Sequence, residues 1–253
     1  MKQIVINQGN IEVKKVPAPS LEKGKILVKV MNSCISSGTE LSNIKFSGIP
    51  LWKRAINDPK KAIQFAASTI QNGIADTKNT IQNALNSDMP IGYSNAGIVI
   101  GVGEGISNIK IGDRVACAGA QCAFHAEIVS VPKNLFIKIP DDVSFNDAST
   151  VALGAIALQG LRRIEPTLGE FIVVVGLGIL GQLTLQLLKA NGCIVAGIDP
   201  DNKRLEIALS NGMDFAVKQD FVSTLQKLTD GQGVDGVIIT AATQSESVIK
   251  NSF

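Results

Sequence analysis

The chain has 253 residues, of which 45% are apolar and 18% charged, a globular composition long enough for two domains and a sizeable core. Its net charge of +2 comes without a basic run, so a nucleic-acid partner has no electrostatic support, and a single histidine removes most zinc-hydrolase and histidine-relay mechanisms. The first ten residues, MKQIVINQGN, lack the apolar stretch of a secretory signal, and cysteines 34, 117, 122 and 193 are scattered; together these lead one to expect a reducing, cytoplasmic location.

In chain order, residues 3–6, 11–16 and 25–31 read as short strands separated by turns. Residues 32–47 are small and polar and read as a loop carrying hydroxyls and one acid, Glu40. Residues 53–86 change character: Asp58-Pro59 opens a helix and a second short helix follows, so a helical insertion is expected there. The β pattern returns from Met89, with strands at 97–102, 114–117, 127–131 and 136–139. Ser144 and Asp147 read as a capping box that opens a helical run over 148–161. The domain boundary is therefore set near Ser144, giving a first domain over 1–144 and a second over 145–253.

The second domain centres on residues 171–200. A β-branched apolar run leads into Gly176, Gly178 and Gly181 in the order G-x-G-x-x-G, then an apolar-periodic helix closed by Asn191-Gly192, then a second buried strand that ends on Asp199. That succession is the dinucleotide-binding fingerprint. Gly176 allows the tight turn, Gly178 lets backbone approach a pyrophosphate, and Gly181 lets helix pack on sheet. The N–H groups of the helix opening at Ile179 and Leu180 face the phosphates. Asp199 would accept hydrogen bonds from adenosine ribose hydroxyls and repel a 2′-phosphate. NAD is therefore favoured, while Lys203 and Arg204 leave NADP open. A membrane span over 171–188 is the competing reading, but Gln182, Thr184 and Gln186 interrupt it and no membrane partner is expected. A second glycine cluster at 101–105 has no helix behind it. Alternation then continues with a helix at 203–210, a strand at 215–217, a helix at 221–228, a strand at 234–240 and a last helix from about Ser245.

Ser37-Gly38-Thr39-Glu40, Gly92-Tyr93-Ser94-x-x-Gly97, Gly112-Asp113-Arg114-Val115, His125-Ala126-Glu127 and the glycine turn together resemble the medium-chain dehydrogenase/reductase superfamily. The closest look is to a zinc-lacking branch whose members occur as the N-terminal part of bi-domain oxidoreductases in polysaccharide gene clusters. The resemblance implies an α/β protein: a GroES-like β barrel followed by a Rossmann doubly wound parallel sheet, here truncated after its fourth strand. It implies a small-molecule substrate, sugar-derived by association with the branch alone, and a cofactor that also passes Thr240 and Ala241. Family members usually dimerise through sheet strands absent here.

Departures from the family pattern set the expected chemistry. Positions that hold a catalytic zinc in other members align with Ser37, Tyr93 and Ala152, and Cys117-x4-Cys122 has no second cysteine pair, so no metal is expected. Without a Lewis acid, carbonyl polarisation falls to hydrogen-bond donors, for which Tyr93, Thr39 and Ser37 are the candidates, Tyr93 foremost. Tyr93 as a packed ring stays open as the alternative. Glu40 either orients a hydroxyl or makes a structural hydrogen bond, and His125 is expected to be structural. The expected activity is zinc-independent hydride transfer between nicotinamide and a carbonyl/alcohol or activated alkene. The rival is an inactive nucleotide-binding or scaffolding fragment.

Overall fold

The computed structural model describes residues 1–7, 9–47, 88–218 and 221–241. The expected insertion at 53–86 and the last helix near Ser245 lie outside the described residues. The chain divides into two compact units, Met1–Val151 and Ala152–Phe253. No helix among the described residues is long and apolar enough to cross a membrane.

The first unit is built from antiparallel strands. β1 (Lys2–Asn7), β2 (Asn10–Lys15) and β4 (Met89–Pro90) form a small sheet in the order β2-β1-β4. β3 (Lys25–Ser33), β5 (Ser94–Val102), β6 (Arg114–Ala118), β7 (Ile128–Pro132) and β8 (Phe136–Lys138) form a second, ordered β7-β3-β5-β6-β8. Inward positions alternate along these strands, so Ile26, Val28, Val99, Val115, Val129 and Val131 meet in one core. β5 carries its neighbours closely: a Cβ on Gly97 would lie 2.2 Å from the Lys29 carbonyl oxygen. The Gln3–Ala126 bridge and the bond from the Ile4 amide to the His125 carbonyl join the two sheets beside His125.

The loop expected over 32–47 is corrected by the structure, which has a helix, α1 (Ser37–Ser47), in its place. No apolar stripe announces it. Its start is held by polar groups instead: the Ser36 carbonyl accepts from the Glu40 amide at 2.9 Å, and Glu40 Oε1 reaches back to the Ser36 amide at 3.2 Å. Ser42 Oγ donates to the Gly38 carbonyl one turn away. Local side-chain bonding of this kind is neutral in propensity terms and is decided by what anchors the helix. The anchor is Glu40, buried against a residue 85 positions later.

The helical run expected over 148–161 is broken into two pieces. α2 (Phe145–Ala148) is capped by Ser144 Oγ, which accepts from the Asp147 amide, and α3 (Val151–Ile164) follows after Ser149 and Thr150. Arg114 ties α2 to β6: its guanidinium donates to the carbonyls of Pro140, Asp141 and Val143 and lies 4.6 Å from the Phe145 ring centroid.

The second unit is a parallel sheet of β9 (Phe171–Val175), β10 (Ile194–Ile198), β11 (Phe215–Val217) and β12 (Gly236–Ile239), ordered β11-β10-β9-β12. In chain order that is third, second, first, fourth, with the reversal between β9 and β12. Helices α4 (Ile179–Ala190), α5 (Asn202–Ser210) and α6 (Phe221–Leu228) complete it. β9 is buried at every position. Its even residues, Ile172 and Val174, pack with Leu161, Leu185, Leu188 and Leu205, while Phe171, Val173 and Val175 pack with Phe221 and Leu225. A strand covered on both faces reads as a continuous apolar run, which explains FIVVV.

Candidate active site

The cofactor fingerprint is assembled at the carboxyl end of β9, where the strand order reverses, the position at which open parallel sheets bind ligands. Gly176 leaves β9 at φ 91°. A Cβ there would lie 2.7 Å from the Ala241 amide nitrogen, so both the turn and the approach of β12's end demand glycine. At Gly181 a Cβ would lie 2.0 Å from the Gly176 carbonyl oxygen and 2.9 Å from Thr240 Oγ1. Gly178 differs. Its φ of −66° suits any residue, and among the described residues no atom lies within 4 Å of where its Cβ would be. It forms the N-cap of α4 without a side-chain cap, so the helix opens onto that space with its first amides uncapped and its dipole aimed outward. Ile179 is exposed and Leu180 half-buried beside it.

Asp199 stands at the end of β10, 4% exposed. Its Oδ2 accepts from the Leu177 amide at 2.7 Å, its Oδ1 from the Asp201 amide at 2.9 Å, and Arg204 approaches at 3.5 Å. The carboxylate therefore braces the glycine turn from the neighbouring strand. Lys203 donates its backbone amide to Asp201 at the start of α5, and its side chain is exposed. Thr240 bonds back onto the turn, its Oγ1 donating to the Gly176 carbonyl and its amide to Val175. Gln182 Nε2 donates to the carbonyls of Leu177 and Arg204. Sequence reading missed Leu177 and Gln182; the only clue is that Gln182 interrupts an apolar helix face directly after the last fingerprint glycine.

The other candidates lie in the first unit. Ser37 and Thr39 are exposed on the first turn of α1, where Thr39 Oγ1 lies 3.4 Å from Ser36 Oγ. Tyr93 is half-buried just before β5, and its carbonyl accepts from the Gly119 amide. Glu40 faces away from solvent and is spent on His125: Oε1 lies 3.0 Å from Nε2, with both residues under 10% exposed. His125 Nδ1 lies 2.9 Å from Ser33 Oγ. Gly92 makes room for this imidazole, because a Cβ there would lie 2.6 Å from the His125 amide and 3.0 Å from its Cγ. Burial first, and the Glu40 charge second, push the nearby Cys34 thiol above its ordinary range. Nothing in the sequence joined Ser33, Glu40 and His125, which are separated by up to 92 positions.

Comparison with known proteins gives two family matches, in this order along the chain: an alcohol dehydrogenase GroES-like domain over residues 62–141 and a zinc-binding dehydrogenase domain over residues 180–252. D-guloside 3-dehydrogenase of Escherichia coli K12 is 32% identical over 155 residues, covering 60% of this chain and 44% of that protein, so the match spans less than half of that relative's length. (R,R)-butanediol dehydrogenase of Bacillus subtilis is 27% identical, covering 90% of this chain and 67% of that protein. Among solved structures, the Bacillus subtilis 2R,3R-butanediol dehydrogenase superposes with a TM-score of 0.74 at 25% identity, covering 99% of this chain and 73% of that one. A mycobacterial structure in complex with NADPH superposes with a TM-score of 0.69 at 22% identity, covering 94% and 66%. The expected architecture of a GroES-like domain followed by a Rossmann sheet holds, and both domain matches in that order support the medium-chain dehydrogenase/reductase superfamily.

Proposed function

We propose that this chain is the nucleotide-binding and substrate-facing part of an NAD-preferring oxidoreductase that works without a metal. The observation that carries the reading is Gly178: the fold does not require a glycine there, yet its missing Cβ leaves open the space in front of an uncapped helix terminus. A pyrophosphate needs that combination of clearance and free amides. Gly176, Gly178 and the amides of Ile179, Leu180 and Gly181 would hold it, Asp199 would receive the adenosine ribose, and Thr240 and Ala241 would border the nicotinamide half. The buried Asp199 carboxylate disfavours a 2′-phosphate, and Arg204 is already drawn toward that carboxylate, which supports NAD over NADP.

A nicotinamide held there would supply or accept hydride at C4. The remaining task is the proton and the developing oxyanion on the substrate, and Tyr93, Thr39 and Ser37 are the proposed donors. Glu40 serves them only indirectly, since its Oε1 is taken by His125 and the Ser36 amide.

A catalytic zinc does not fit this donor set. The aligned ligand positions carry Ser37, Tyr93 and Ala152, whose side chains are poor zinc ligands or none. The one histidine has both ring nitrogens engaged by Ser33 and Glu40, and the four cysteines are buried. No three His, Cys, Asp or Glu residues among the described ones are arranged to hold a metal. Free thiols throughout accord with a reducing compartment.

The D-guloside and butanediol dehydrogenases make secondary alcohols the first substrate class to try, with a sugar-derived alcohol foremost. Fluorescence titration with NADH and NADPH, followed by turnover on glycosides, diols, aldehydes and quinones, tests the proposal. Saturable NADH binding with turnover supports it; a flat titration favours the inactive-fragment reading instead.

A further inference from the structure

We propose that Ser33, His125 and Glu40 form an activated serine site, separate from the dinucleotide cradle, that accepts an acyl group from short-chain esters. The three groups stand in line. Ser33 Oγ is 2.9 Å from His125 Nδ1, and His125 Nε2 is 3.0 Å from Glu40 Oε1. Glu40 Oε1 already accepts the Ser36 amide, so the imidazole is the donor to it. Nε2 therefore carries the ring hydrogen, and the Nδ1 lone pair faces the Ser33 hydroxyl. A nucleophile bonded to a base, with the base oriented by an acid, is the geometric signature of an activated hydroxyl. Here the imidazole is turned over relative to the common serine-hydrolase arrangement, with the serine on Nδ1.

Access divides in the way such a site needs. The imidazole and the carboxylate are buried, whereas Ser33 is exposed at the end of β3. Ser33 and His125 line an open concavity of about 350 Å³, whose wall mixes apolar Ile4, Val13, Val30 and Met31 with polar Gln3 and Asn32 and charged Lys2 and Glu127. That volume lies at the low end for a small-molecule site; the apolar part of the wall suits a short acyl chain, and the polar part suits the ester group. Ser33 and His125 take no part in the proposed hydride transfer, and Glu40 bears on it only indirectly, through the Ser36 amide.

In the acylation step the Ser33 proton passes to Nδ1 while Oγ bonds to the ester carbonyl carbon. The bond from that carbon to the leaving oxygen then breaks, and the proton moves from Nδ1 to the departing alkoxide. The products are acyl-Ser33 and an alcohol, and water reverses the route to release the carboxylic acid. Ser33 and His125 are the catalytic residues and Glu40 the positioning residue.

The test is acylation by 4-nitrophenyl acetate, with peptide mass spectrometry to locate the acetyl group. In the wild-type chain Ser33 is expected to be acetylated ahead of every other serine. S33A should abolish the hydroxyl-linked product, and H125N and E40Q should each slow it about 100-fold, the low end for a general base. E40D should recover part of that loss, which a purely structural acid would not do. Circular dichroism confirms that each variant folds; where one does not, the wild-type order of acetylation decides alone. Acetylation of other serines at the rate of Ser33, or an unchanged rate in folded H125N, would overturn the proposal.

Discussion

Gly178 and Gly181 stand three residues apart in one motif, yet substitution by alanine should separate them completely. At Gly178 the backbone already has φ −66° and ψ −173°, and among the described residues no atom lies within 4 Å of a new Cβ. Removing a glycine's unfolded-state freedom stabilises by about 0.4–1 kcal/mol, whereas alanine is a poorer N-cap than glycine by a similar amount. The two nearly cancel, so Gly178→Ala should melt within about 2 °C of wild type. At Gly181 the Cβ would lie 2.0 Å from the Gly176 carbonyl oxygen, and the turn must shift. Overpacking of that kind costs about 1–3 kcal/mol, which lowers the melting temperature by roughly 3–10 °C for a chain this size. Dinucleotide affinity should run the other way for its cause. Gly178→Ala places a methyl where the pyrophosphate approaches and should weaken NADH at least about tenfold, or 1.4 kcal/mol, in a folded protein. Paired thermal melts and NADH fluorescence titrations measure both quantities. A Gly178→Ala protein that binds NADH like wild type would refute the argument, because its glycine would then have no ligand to explain it.

Tyr93→Phe should lower turnover about 100-fold on whichever substrate the panel yields and leave NADH affinity unchanged; steady-state kinetics beside a titration shows which, and unaltered turnover removes Tyr93 from the reaction. Asp199→Asn should narrow the preference for NADH over NADPH at least about tenfold, read as a ratio of dissociation constants; an unmoved ratio would mean the ribose is read elsewhere. Arg114→Ala strips three carbonyls and the Phe145 ring of their partner and should cost about 2–3 kcal/mol in denaturant melts. Burial, with a smaller contribution from Cys122, pushes the Cys117 thiol up from 9.0 to about 12. Its folded value exceeds its unfolded one, so the associated stability is intact below about pH 9 and is lost as pH rises toward 12. Cys117→Ala should flatten that alkaline loss, and iodoacetamide should leave Cys117 unmodified in the native protein at about pH 8.5.

Tyr93, the Glu40–His125 pair and the glycine turn were legible in the sequence to very different degrees. A turn is local: Gly176, Gly178 and Gly181 act through their own backbone, and the strand and helix that hold them announce themselves by continuous and periodic apolar runs. The same locality made Phe215–Val217 and Phe221–Leu228 readable to the residue. Helix α1 reads as a loop in the sequence because its cohesion is not local. Its polar residues carry no apolar period, and Glu40 is buried by a histidine that no spacing rule connects to it.

What this sequence determined by itself is the order of its elements, the superfamily pattern and the place of the glycine turn, all properties of short segments with a fixed period. Only the tertiary structure decided which glycine the fold requires and which it does not, and that Asp199 braces the turn. It alone brought Ser33, His125 and Glu40 into one line. The physical reason is that excluded volume and hydrogen bonding act between atoms close in space. Strand pairing brings such atoms together from positions that no local pattern in the chain relates.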